Sequence, residues 1–150
     1  MMLSHTNHRS RLDIHLTGPF EVRLDGEVIS RFESVKVRAL LAYLVVEIHS
    51  PHSRESLAEL LWPGAPSQSA FGNLRYVLAN LRHVLDDASA NPPYLLISRE
   101  SLQFNALSSY ELDTNCFINL LQIVAPHYYF MVCFEIINQH LKFCDITTMH

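Results

Sequence analysis

Gly72-Asn73-Leu74-Arg75-Tyr76-Val77-Leu78 is followed at once by Ala79-Asn80-Leu81-Arg82-His83-Val84-Leu85, a seven-residue near-repeat that decides how the chain is read. At 100° per residue, Leu74, Leu78, Leu81 and Leu85 fall in one narrow arc flanked by Val77 and Val84, so the spacing predicts an amphipathic helix over about 67–85. The opposite arc carries Gly72, Tyr76, Ala79 and His83, bordered by Arg75 and Arg82 on one side and by Asn73 and Asn80 on the other. Two repeats are too few for a coiled coil, which needs three or four heptads.

On the N-terminal side, two more helices are legible. Ser34 is a candidate cap for a helix with the stripe Val37, Leu40, Leu41, Leu44, Val45 and Ile48. Ser53 caps a shorter one with Leu57, Leu60 and Leu61 inward and Glu55 in its first turn, and Trp62-Pro63-Gly64 ends it. Before them, Leu12, Ile14 and Leu16 alternate with polar residues, as do Phe20, Val22 and Leu24, the period of half-buried strands. Asp25-Gly26 then signals a hairpin into Val28-Ile29. On the C-terminal side, Tyr94–Ser98 and Leu102–Asn105 read as two strands joined by Arg99-Glu100-Ser101. The expected fold is therefore α+β: an N-terminal antiparallel sheet, three helices and a hairpin over about 94–105, which is the layout of a winged helix-turn-helix.

Charge points the same way. The 150 residues carry a net charge of −4, so the chain is no general polyanion binder. Yet no Asp or Glu occurs between Glu59 and Asp86, which leaves the 67–85 helix locally cationic. A helix that reads double-stranded DNA needs an apolar face for docking and an acid-free face carrying donors and cations. Asn73, Arg75, Tyr76, Asn80, Arg82 and His83 are the candidate major-groove residues, Gly72 and Ala79 being small enough for close approach. Arg99 is the candidate contact of the hairpin wing with backbone or minor groove, and Lys36 and Arg54 are candidate phosphate contacts. The rival for this helix alone is a solvated surface face.

These segments resemble the OmpR-type winged-helix domain of SARP-like bacterial transcriptional regulators. Leu12-Asp13-Ile14-His15-Leu16-Thr17-Gly18-Pro19-Phe20-Glu21-Val22 is similar to that domain's start. Lys36-Val37-Arg38-Ala39-Leu40-Leu41-Ala42-Tyr43-Leu44 resembles its first helix and Arg54-Glu55-Ser56-Leu57-Ala58-Glu59-Leu60-Leu61-Trp62-Pro63 its second. Asn73-Leu74-Arg75 with Leu81-Arg82 resembles the recognition helix. The likeness covers about 12–107. It implies a cytoplasmic regulator that binds specific promoter sequences, as a homodimer on direct repeats, with RNA polymerase as a further partner. In such regulators a helical activation domain of TPR-like pairs follows, and Phe117-Ile118-Asn119-Leu120-Leu121 resembles its first helix. Residues 108–150 thus read as a truncated start of that domain, with Leu107 to Glu111 the expected boundary.

In that C-terminal part Phe117, Leu120, Leu121 and Val124 keep helical spacing, Pro126 interrupts, and a second apolar segment runs from Tyr128 to about Phe143. The stretch 114–134 carries no formal charge and is long enough to cross a bilayer. Asn115, Asn119, Gln122, Pro126 and His127, and the lack of a cationic flank, make a membrane span the lesser alternative. Met1 to Arg11 has no apolar run of the secretory kind.

Cys116, Cys133 and Cys144 lack metal or redox spacing and read as reduced core thiols. The histidine pairs His5/His8 and His49/His52 are too few to hold a structural metal. With no G-x-x-x-x-G-K-[ST] and no G-x-S-x-G, no enzyme and no cofactor are expected. The alternative class is a protein–protein module that self-associates through its helical tail and no longer reads DNA.

Overall fold

Alternation in the first strands is what closes the core. The computed structural model describes residues 9–147, apart from the side chains at 116, 117, 129, 130 and 140–147. Strands β1 (Leu12–His15) and β2 (Glu21–Leu24) pair antiparallel with Leu12 opposite Leu24 and Ile14 opposite Val22. Leu12, Ile14, Leu16 and Val22 are buried on one face. Asp25 and Gly26 both take positive φ in the tight turn to β3 (Glu27–Val28), the backbone that the Asp-Gly pair favours.

Three helices follow: α1 (Val35–Val46), α2 (Arg54–Leu61) and α3 (Ser67–Val84). Ser34 sits at the N-cap of α1 without a side-chain cap bond, whereas the Ser53 hydroxyl accepts the Ser56 amide at 3.0 Å. A short strand β4 (His52–Ser53) between α1 and α2 pairs with β6 (Ser101–Phe104), which in turn pairs with β5 (Leu95–Ile97). Then come β7 (Tyr110–Leu112), α4 (Asn115–Val124) and α5 (Pro126–Thr147).

The four-stranded sheet runs β3-β2-β1-β7, and β7 lies parallel to β1, so the expected purely antiparallel sheet is mixed. β7 also reaches back across the expected boundary to pair with β1. Leu12 N–H donates to Ser109 at 3.0 Å and Asp113 N–H to Ile14 at 3.1 Å, so residues on both sides of 107/108 share one sheet. The Asp113 carboxylate completes the seam: it accepts the amides of Leu16 and Thr17, each at 3.0 Å, and the Thr17 hydroxyl. Burial would raise the Asp113 carboxyl, but these donors, with His15 nearby, hold it below the usual carboxylate value.

α1 is the central helix. Ala39, Ala42 and Val46 are buried along with Val37, Leu40, Leu41, Leu44 and Val45 of the expected stripe, because α3, β6 and α5 all pack on it, while Ile48 lies past the helix end and is half-buried. A helix apolar nearly all round is a core helix, not a surface one. The C-terminal helices join that same core through Ile118, Cys133 and Ile137. In α4, among the described side chains, Ile118 is buried, while Leu120 and Val124 face outward. Of the three thiols, Cys133 is buried; the other two side chains lie outside the described residues, as does the pair His5/His8. Among the described residues no helix is long and apolar enough to cross a membrane.

Candidate functional site

α3 docks through Ala70, Leu74, Val77, Leu78, Leu81 and Val84, all buried. That fixes the opposite face outward: Asn73, Arg75, Tyr76, Arg82 and His83 are exposed. Gly72 lies on this face too, and a methyl group built there would meet nothing within 4 Å.

Asn80 does not join them. It is buried at 8% exposure, and its Oδ1 accepts the Glu33 amide at 3.2 Å. Helical phase places Asn73 and Asn80 on one flank, but the segment leading into α1 crosses α3 at the second and leaves the first open. This corrects the expectation that both read a ligand: Asn80 ties α3 to the 29–34 segment. The crossing also brings an acid to a face whose own sequence has none. The Glu33 carboxylate lies close enough to the Tyr76 hydroxyl that hydrogen bonding and its charge raise the tyrosine pKa.

The hairpin is held against α2 by main-chain acceptors. The Arg54 guanidinium donates to the Ser98 carbonyl at 2.9 and 3.3 Å, and the Arg54 amide donates to the Glu100 carbonyl at 2.9 Å. Within the turn, the Ser98 hydroxyl accepts the Glu100 and Ser101 amides. Arg54 is thus half-buried and positions the turn rather than waiting free for an anion. Arg99 projects from the turn, exposed. Between the α2 start, α3 and the turn runs a groove of about 430 Å³ lined by Arg54, Arg75 and Arg99 but also by Glu55 and Glu100. The acids confine the cationic surface to the rim made by Arg75 and Arg99, which form no ion pair among the described residues.

Lys36 has a partner within the fold. Its ammonium donates to the Leu61 carbonyl at 2.6 Å, at the negative end of α2, and the side chain is half-buried. It joins α1 to α2. Arg82 is shared between roles: half exposed, it lies 3.5 Å from the buried Asp87 carboxylate. Asp87 itself accepts the Tyr94 and Leu95 amides at 2.8 and 3.0 Å, fastening β5 to the end of α3. The reading of the sequence missed Asp87 and Glu33; the acid pair Asp86-Asp87 just past a helix end was the available signal for the first, and nothing local signals the second.

No group of three or more His, Cys, Asp or Glu side chains able to hold a metal converges among the described residues. His49 is exposed, and His52 bonds the Glu47 carbonyl at 2.7 Å.

Known proteins match this arrangement in part. No family model matches the chain. Over 86 residues it is 33% identical to the transcriptional regulatory protein EmbR of Mycobacterium tuberculosis and of Mycobacterium bovis, covering 57% of this chain and 22% of those proteins. The chain thus spans about a fifth of the length of these curated relatives. A solved structure of Mycobacterium tuberculosis EmbR in complex with a low-affinity phosphopeptide superposes with a TM-score of 0.60 at 26% identity, covering 89% of this chain and 35% of that one. The superposition supports a mixed α+β fold like that of EmbR.

Proposed function

We propose that this chain is a cytoplasmic, non-enzymatic transcriptional regulator of winged helix-turn-helix type that binds double-stranded DNA. In this reading α3 enters the major groove and the β5–β6 hairpin is the wing. The observation that carries it is the outer face of α3, which has Arg75 and Arg82 about two turns, or roughly 10 Å, apart and carries no acid of its own. Asn73, Tyr76 and His83 supply further polar atoms on the same face, and Gly72 lets the helix axis come close to base edges.

Roles differ among the basic residues. Arg75 suits a base edge or phosphate, since its guanidinium donates a planar fork of N–H groups. Arg99 suits the backbone beside the wing. Arg82 contributes from a position already oriented by Asp87. Arg54 acts indirectly, by holding the Ser98–Glu100 turn that carries Arg99. Similarity to a transcriptional regulatory protein supports a role in transcription regulation.

Electrophoretic mobility shift with random duplex at about 50 mM salt tests this, followed by selection of bound sequences. Retention and enrichment of a defined motif are expected. A complete lack of retention at that salt overturns the reading.

A further inference from the structure

The face of α3 that its own sequence keeps free of acids receives one from elsewhere: Glu33, carried there by the segment that leads into α1. Its place is fixed from both sides. The Glu33 main-chain amide donates to the buried Asn80 side chain at 3.2 Å, and the neighbouring Phe32 ring packs edge-on against Phe20 at 5.7 Å. Asn80 lies one helical turn beyond Tyr76, so the same crossing sets the Glu33 side chain beside the Tyr76 hydroxyl. Both side chains are exposed, Tyr76 at 66%, and Glu33 forms no ion pair among the described residues. A carboxylate without a counter-cation is therefore held at the flank of the surface that carries Arg75 and Arg82.

An acid at that place opposes binding held by phosphates alone, since it repels the nucleic-acid backbone. It suits a single kind of base atom. A carboxylate accepts hydrogen bonds and donates none, and a hydroxyl that shares its hydrogen with a carboxylate likewise offers lone pairs to a third group. In the major groove guanine N7 and O6, adenine N7 and thymine O4 are acceptors; the donors are the amino groups of cytosine and adenine. The adenine amino group sits between its own N7 and the thymine O4, both of which repel a carboxylate. The cytosine amino group has an acceptor on one side, guanine O6, and a ring C–H on the other. Cytosine is the better partner.

We infer that Glu33, seated beside Tyr76, is a specificity-determining residue of the α3 face: it accepts the amino group of a cytosine in the major groove and weakens binding to duplexes that lack one at that place. The inference rests on the DNA-binding reading and adds to it a base preference set by a residue outside α3. Selection of bound sequences from random duplex, run in parallel on the full chain and on Glu33→Gln, tests it. Glutamine keeps the shape and spares the main-chain bond to Asn80, while its amide group favours adenine. The wild-type motif is expected to hold a cytosine that the variant replaces by adenine or leaves undefined, with about a tenfold loss of preference at that base pair. Affinity of the variant for random duplex is expected to rise about threefold at about 50 mM salt, and the gain to shrink at about 200 mM as ions screen the charge. Glu33→Ala, which also spares the main-chain bond, should blur the same position without creating a new preference, and it carries the test if the glutamine variant misfolds. Identical motifs from wild type and variant, or a rise in affinity equal for all sequences with the cytosine kept, would overturn the inference while leaving α3 in the groove. No retention of the wild-type chain would overturn the DNA-binding reading and the inference together.

Discussion

Replacing Arg75 by alanine isolates the proposed reading function, because Arg75 is exposed on α3 and forms no ion pair among the described residues. Its truncation should change fold stability by less than about 0.5 kcal/mol, the usual range for such surface positions. If the guanidinium meets a base edge, its loss should cost about 1–3 kcal/mol of binding, a rise of roughly 5- to 150-fold in the dissociation constant, with relaxed preference at one base pair. If it meets a phosphate, affinity should fall uniformly across sequences and the salt slope should shrink by about one. Arg82→Ala is the companion variant. It also removes the pair with Asp87, but Arg82 is half exposed and solvent screening limits that stability cost to under about 1 kcal/mol. Fluorescence anisotropy with a selected duplex at about 50 and 200 mM salt, alongside thermal melting, reads both quantities. Unchanged affinity in both variants, with folding intact, refutes the assignment of α3 to the groove.

Lys36→Met keeps the aliphatic stem but deletes the bond to Leu61; melting should show a loss of about 1 kcal/mol, with duplex affinity unchanged once the protein is folded. Gly72→Ala adds a methyl group where nothing lies within 4 Å, so urea titration should show a gain of about 0.5–1 kcal/mol. Asp113 has a lowered carboxyl pKa, so its contribution to stability is present above the unfolded value near 4 and is lost as pH falls through the folded value. Asp113→Asn should therefore be less stable than wild type at neutral pH, and the difference should narrow on acidification below about pH 4, as followed by circular dichroism.

The parts of the fold written in local pattern are the parts the sequence makes legible. Alternation marks β1 and β2, Asp25-Gly26 marks the tight turn from β2 to β3, and the leucine arc fixes both the extent of α3 and the side it buries. What local pattern omits are pairings between distant segments. β4 is two residues long and exists because β6 passes beside it. β7 is three residues long and owes its place to β1, nearly a hundred positions earlier. The same cause governs the site. Arg75, Tyr76 and His83 follow helical phase alone and lie outward as expected. Asn80 has the phase of Asn73 but meets Glu33, Lys36 meets the end of α2, and Arg54 meets Ser98. Each of those long polar side chains is claimed by a main-chain group that sequence spacing does not reveal.

The most direct measurement is a nuclear magnetic resonance titration of the isotope-labelled chain with a selected duplex. The account predicts that amide shifts concentrate in α3, from Ser67 to Val84, and in the Ser98–Glu100 turn, while α4 and α5 stay unperturbed at fixed protein concentration. Shifts centred on α4 and α5, with α3 silent, would contradict it.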